Sequence, residues 1–294
     1  MSLAKFEVFS TVVELGSLKQ AAEALNLTQS AVSHAIASME LEWGFTILIR
    51  GRSGIQLTSN GERVLQYIQE ILKWHEQMTQ EIANINGLEI GTVRVGTFSS
   101  VSVQWLPEVL KNFNADFPAI DIKLFEGDYD MLEHWIATGM VDFGFLSLPT
   151  SKSFEVIPLK KDRMLCILPD DHPLAFEQEV SLSDIQEEIF IMSKKGSDND
   201  IRRIFQENKV TPHIKFELAD DQAIISMVQN GMGISILPEM VLYRVPQNVS
   251  IVGLKGEHYR SIGIAAPSFK TISPAARKFI DYVKARLDNS EEGQ

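Results

Sequence analysis

The side chains of this chain that stand in chemically suggestive patterns are hydrogen-bonding groups rather than a reactive set. No HExxH, CxxC, GxSxG or P-loop pattern occurs, and the six histidines do not cluster with carboxylates at metal spacing. Gly91-Thr92-Val93-Arg94-Val95-Gly96 lacks the glycine spacing of a dinucleotide loop. Catalysis, a metal site and a cofactor are therefore not expected. Two polar clusters remain. The first is Thr28, Gln29, Ser30, Ser33 and His34, followed by Arg50 and Arg52. A glutamine amide can bond an adenine edge in two places, and short hydroxyls suit phosphate oxygens. The second is Phe98-Ser99-Ser100 with Asp128, Ser147 and the run Ser193-Lys194-Lys195-Gly196-Ser197. Hydroxyls and lysines beside helix starts suit a small anion such as a carboxylate. Asp128 argues the other way, because it would repel an anion and favour an amine or hydroxyl.

The elements around the first cluster are short helices. Leu3, Phe6, Phe9 and Val13 recur at helical spacing over residues 3–15, and Gly16 follows as a stop. Ser17 can cap a second helix, Leu18 to Leu25. Asn26 sits in the turn, where it tolerates a left-handed backbone. Thr28 can cap a third helix that runs to about Trp43, with Gly44 after it. Two short helices joined so tightly form either a helix-turn-helix or an ordinary helical hairpin. Next, Ile47–Arg50 and Ile55–Leu57 flank Gly51-Arg52-Ser53-Gly54, which reads as a hairpin with a basic tip, a wing. Arg50 could instead pair with Glu40 or Glu42.

From Thr58 to about Asn86 one long helix is expected. Val64, Ile68, Ile71, His75, Met78, Ile82 and Ile85 follow at intervals of 4, 3, 4, 3, 4 and 3, a heptad seam suited to dimerisation. Within it His75 reads as a polar residue that fixes register rather than as a metal ligand. Beyond Gly87–Gly91 the pattern becomes α/β with parallel strands. Strands are expected at Thr92–Thr97, Ile120–Glu126, Val141–Leu148, Met164–Leu168, Ile189–Met192, His213–Leu218 and Ile234–Leu237. Two such subdomains leave a cleft, and ligands of open α/β sheets bind beyond the strand carboxyl ends.

The totals are those of a globular chain. Of 294 residues, 45% are hydrophobic and 22% charged. Cys166 stands alone, so no intrachain disulfide can form. Neither a secretory leader nor a membrane span is expected, which points to the cytoplasm. The formal net charge of −12 argues against coating nucleic acid nonspecifically. Residues 1–57 hold four cations against five acids. A solute-binding protein of a transport system would share the cleft, but it should carry a secretory leader and has no use for residues 1–90.

The chain resembles the LysR-type transcriptional regulators. The likeness begins at Phe6 and Phe9 and runs through Gly16-Ser17-Leu18, Ala21-Ala22-Glu23-Ala24-Leu25 and Thr28-Gln29-Ser30-Ala31-Val32-Ser33. It continues with Ile36, Met39-Glu40, Gly44, Arg50, Leu57-Thr58 and Gly61. Gly91–Gly96, Asp171-His172-Pro173-Leu174, Gly231-Met232-Gly233-Ile234 and Leu237-Pro238 carry it through the rest. Asn26 stands where the family often has Gly, and His34 where Arg or Gln is frequent. The resemblance implies a winged helix-turn-helix (1–57), a linker and dimerisation helix (58–90) and two subdomains of the periplasmic-binding-protein type. One of these is expected at 91–162 plus 266–290, the other at 163–265, and a disordered tail at 291–294. It also implies homodimers or homotetramers on promoter DNA bearing an inverted repeat, contact with RNA polymerase in an activator, and a small-molecule effector (co-inducer). The expected DNA contacts are Ser17, Thr28, Gln29, Ser30, Ser33, His34, Arg50 and Arg52. The expected effector contacts are Phe98, Ser99, Ser100, Asp128, Ser147, Lys195 and Ser197.

Overall fold

The computed structural model describes residues 2–51, 54–87 and 89–291, and the chain divides into two compact units, 1–88 and 89–294. The first unit opens with three helices, α1 (Leu3–Leu15), α2 (Leu18–Ala24) and α3 (Gln29–Trp43). Their ends follow local chemistry. Ser17 accepts a hydrogen bond from the Gln20 amide and caps α2, and Thr28 accepts from the Ala31 amide and caps α3. Asn26 has φ 53°, the left-handed turn that the short α2–α3 connection requires. Phe9, Val12, Ala21, Val32 and Met39 close the core between them.

Strands β1 (Leu48–Gly51) and β2 (Gly54–Leu57) pair antiparallel as the wing. Glu40 on α3 fixes its start by accepting from the Ile47 and Leu48 amides. Helix α4 (Ser59–Ile85) follows, capped by Thr58. Its close approach to the residue that enters the wing explains Gly61. A Cβ there would lie 2.2 Å from the Ile47 carbonyl oxygen, so no larger residue fits.

The expected seam of α4 is corrected. Ile68 is 3% exposed and joins the core of its own unit, with Val64, Leu65 and Leu72 packed against the same core. The apolar residues left in the open are Tyr67, Ile71, Trp74, Met78, Ile82 and Ile85, with Trp74 54% exposed. The stripe is therefore rotated from the 64/68/75 positions onto 67 and 74, and His75 lies exposed beside it.

The second unit has two lobes. The first is built from β3 (Gly91–Thr97), α5 (Ser99–Gln104), α6 (Leu106–Asp116), β4 (Ile120–Glu126), α7 (Tyr129–Thr138) and β5 (Phe143–Leu148). Strand β6 (Glu155–Pro169) then runs from the first lobe into the second. The second lobe holds β7 (Glu179–Val180), α8 (Leu182–Gln186), β8 (Ile189–Ser193), α9 (Asn199–Glu207), β9 (His213–Leu218), α10 (Asp221–Gln229), β10 (Ser235–Pro238) and β11 (Val249–Leu254). Strand β12 (Tyr259–Ala266) returns to the first lobe and leads to α11 (Pro274–Glu291).

Two expectations are corrected here. The sheet is mixed rather than parallel. Pairs β3–β4, β3–β5 and β8–β9 are parallel, whereas β12 is antiparallel to β5 and β6, and β6 to β10 and β11. Antiparallel pairing is what two strands passing between lobes in opposite directions must produce. The second crossing also comes earlier than 265/266. Ile262, Ile264 and Ala265 pack in the first lobe's core with Phe143, Phe145 and Phe279, so β12 belongs there. Glu291 is the last residue of α11, and the rest of the expected tail, 292–294, lies outside the described residues.

Candidate DNA-reading face and ligand cleft

Helix α3 sorts its side chains by period. Val32, Ile36 and Met39 turn inward, while Gln29, Ser30 and His34 stand exposed and Ser33 is half-buried. Gln29 is the first residue of the helix, with its amide free of any structural duty among the described residues. Ser17 and Thr28 are exposed or half-buried but act as helix caps, and Thr28 also bonds Ser30 through their hydroxyls at 3.0 Å. A cap accepts from its own helix, so the Ser17 hydroxyl keeps its hydrogen for a phosphate, and Thr28 and Ser30 share one of theirs between them and keep the other. The backbone of Arg50 pairs with Ile55 in the wing. The Arg50 side chain and all of Arg52 lie outside the described residues. Glu40, considered as an Arg50 partner, has its Oε1 occupied by the wing amides.

The cleft of the second unit encloses about 280 Å³ and is lined by both lobes, with Phe98, Ser99, Ser100, Asp128 and Tyr129 on one side and Lys194, Lys195, Ser197 and Asp221 on the other. This volume lies near the lower end of ordinary small-molecule sites, roughly 300–1,000 Å³. At its base sits Arg260, on the returning strand β12 and nearly fully buried. The guanidinium donates from Nε to Asp162 Oδ2 at 2.8 Å, from Nη1 to the Tyr129 hydroxyl at 3.0 Å and from Nη2 to Ser100 Oγ at 2.7 Å. It also lies 5.1 Å from the Phe98 ring centroid, and Phe98 meets Tyr129 edge to face. Burial pushes the Tyr129 hydroxyl up to about 12, against the pull of Arg260, so it stays protonated. Arg260 is held above its ordinary value by Tyr129 and Asp162, against its own burial.

Of the residues expected here, Phe98, Ser99, Ser100, Asp128, Lys195 and Ser197 all line the cleft. Ser147 does not. It is buried behind the wall and donates to Asp200 Oδ1 at 2.9 Å, so it orients that carboxylate instead of meeting a ligand. Arg203 bonds the same oxygen. Burial raises Asp200, with Ser147 and Arg203 opposing the rise. Asp128 doubles as the cap of α7, accepting from the Met131 amide, and the next amide, Tyr129, donates across the cleft to the Gly196 carbonyl at 3.0 Å. A Cβ at Gly196 would press on the Asp128 carboxyl at 3.0 Å, so Gly196 lets the lobes meet. Sequence reasoning missed Arg260, Tyr129, Asp162 and Asp200. Among the described residues, no group of three or more metal-binding side chains gathers, and no helix is long and apolar enough to cross a membrane.

A winged helix-turn-helix with an exposed polar helix, joined to a two-lobed cleft with buried polar groups, defines a DNA-binding regulator with a small-molecule site. Residues 3–62 match the model of the bacterial regulatory helix-turn-helix protein of the lysR family, and residues 86–288 match the LysR substrate binding domain. The chain belongs to the LysR family of DNA-binding transcriptional regulators, whose substrate-binding domain responds to effectors; its relatives are regulators and not enzymes. It is 37% identical over 287 residues to the HTH-type transcriptional regulator YvbU of Bacillus subtilis, covering 97% of this chain and 98% of that one. The HTH-type transcriptional activator CmpR of Synechocystis is 28% identical, with 97% and 95% covered. In fold the chain is similar to full-length OxyR of Pseudomonas aeruginosa, with TM-score 0.77, 20% identity and 98% and 94% covered. Full-length CbnR complexed with its target DNA gives TM-score 0.68, 19% identity and 98% and 100% covered.

Proposed function

We propose that this regulator works in the cytoplasm as a homodimer or homotetramer on an inverted-repeat operator, and that its cleft takes a small carboxylate as effector. One observation carries the ligand reading. Ser100 and Tyr129 both accept from Arg260, so the chain uses their lone pairs and leaves their hydrogens to the cavity. Two hydroxyl donors beside a guanidinium ask for a ligand oxygen that accepts, and a charged acceptor strengthens each bond about twofold. Lys195 adds a flexible cation at the rim. The six-residue α5 is too short to supply a strong dipole, so its hydroxyl matters more than its helix start.

At the DNA, Gln29 reads base edges from the start of α3, with Ser30, Ser33 and His34 beside it and Ser17 and Thr28 on the backbone. Arg50 and Arg52 extend the contact from the wing. The exposed stripe of Tyr67, Ile71, Trp74, Met78, Ile82 and Ile85 supports pairing of two α4 helices. Half-sites then lie about one DNA turn, ~34 Å, apart. An activating outcome would add contact with RNA polymerase. The test is calorimetric titration of the full chain with a panel of small carboxylates. At least one series should bind the wild type and lose at least tenfold in affinity in Ser100→Ala. Binding unaffected by Ser100→Ala, or no binding by any carboxylate, overturns the ligand reading.

A further inference from the structure

The cleft is not a simple anion hole. Two of its charged lining groups are already neutralised within the chain: Arg260 by Asp162, and Asp200 by Arg203. What remains is of mixed sign. Lys194 and Lys195 stand at the rim, against Glu126, Asp128 and Asp221. One oxygen of Asp128 is committed to the Met131 amide of α7. Asp221 is different. It is the first residue of α10, and the capping of that helix is done by its neighbour Asp220, which accepts from the Gln222 amide. Among the described residues no donor bonds the Asp221 carboxylate, although it is half-buried in the cavity wall. Arg260 and Tyr129 both feel its charge, so it stands within electrostatic reach of the hydroxyl pair.

A half-buried carboxylate with no donor among the described residues keeps its acceptor sites open to the cavity, and a ligand that supplies a donor gains a charge-assisted hydrogen bond there. A plain carboxylate supplies no such donor, and Asp221 repels its charge. We propose that Asp221 reads a hydrogen-bond donor on the ligand, and that the effector class is a small amino carboxylate, with its carboxylate on Ser100 and Tyr129 and its ammonium on Asp221. The proposal rests on the carboxylate reading above. Because Ser100 and Tyr129 belong to the first lobe and Asp221 to the second, such a ligand spans the cleft and ties the lobes together. A wall of both signs suits a zwitterion, whose net charge is zero, better than it suits either ion alone.

The test uses matched carboxylates of one carbon skeleton carrying an amino group, a hydroxyl or hydrogen at the second carbon, titrated calorimetrically into the full-length protein. Three skeletons of increasing size cover the cavity. In at least one skeleton the amino compound should bind at least tenfold tighter than the unsubstituted acid, with the hydroxy acid between. Asp221→Asn should collapse that preference to within threefold, weakening the amino compound and strengthening the unsubstituted acid, which Asp221 no longer repels. Carboxylates that bind without amino preference, or a preference that survives Asp221→Asn, overturn the role of Asp221 and leave the carboxylate reading standing. If no carboxylate of any kind binds, both readings fall.

Discussion

The two units use polar side chains in opposite ways. On α3 the polar residues are exposed, make few contacts within the chain and face outward from a three-helix core. In the cleft they are buried and interlocked, so Ser100, Tyr129, Asp162 and Arg260 share one network across β6, β12, α5 and α7. The contrast teaches what each site can tolerate. A reading face can change one residue and alter only recognition. Losing a buried charged member of the cleft network takes stability with it, because an unpaired buried charge costs several kcal/mol.

The sharpest way to break this contrast is Arg260→Met. It strands Asp162 in the interior and should destabilise the second unit by roughly 3–5 kcal/mol, seen as a fall of about 10 °C in its unfolding midpoint. A variant as stable as the wild type would show that the network is not structural. A tight position of the first unit is a packing position, not a polar one. Gly61→Ala forces the α4 start away from Ile47 and should cost about 1–3 kcal/mol, read by thermal unfolding of the full chain and by weaker DNA binding. On the reading face itself, Gln29→Ala should lower affinity for the specific operator by about 1–3 kcal/mol, roughly 5- to 150-fold, without moving the unfolding midpoint or the affinity for unrelated DNA. A drop in stability there would erase the distinction between the units.

The buried side of the comparison also has an alkaline signature. Burial pushes the Cys166 thiol and the Tyr129 hydroxyl each up to about 12 in the folded chain, above their unfolded values of about 8.5 and 10. Between those limits the folded state holds protons that the unfolded state releases. Stability from both groups is therefore full below about pH 8.5 and lost as pH rises toward 12. Denaturant midpoints should be level from pH 7 to 8.5 and then decline, and a thiol reagent should find Cys166 unreactive until the protein unfolds.

How much of this was legible in the sequence follows from the range of the contacts involved. The caps at Ser17 and Thr28, the Asn26 turn and the wing hairpin depend on neighbours within a few residues, so their types and spacing announce them. Arg260 could not be found this way. Its partners lie 98, 131 and 160 residues away, and nothing local marks a single arginine after a tyrosine in a strand. Ser147 was placed at the right strand end but one layer too shallow, because only the fold shows that Asp200 stands in front of it. The α4 seam misled for a related reason. A 27-residue helix carries two apolar stripes, and which one stays open depends on how its first half packs on α1. Strand β6 was seen only from Met164, since Lys160-Lys161-Asp162-Arg163 looks like a solvated loop until β12 is laid beside it.

The central claim is that a ligand in the cleft changes what the reading face does. The direct measurement is a shift and footprint assay of the full-length protein on its own upstream DNA, with and without a saturating amount of the tightest-binding carboxylate, in wild type and Ser100→Ala. The account predicts a several-fold change in operator affinity, or a changed footprint, in the wild type, and unaltered basal DNA binding with no ligand response in Ser100→Ala. A ligand that saturates the cleft and leaves both affinity and footprint untouched in the wild type would contradict it.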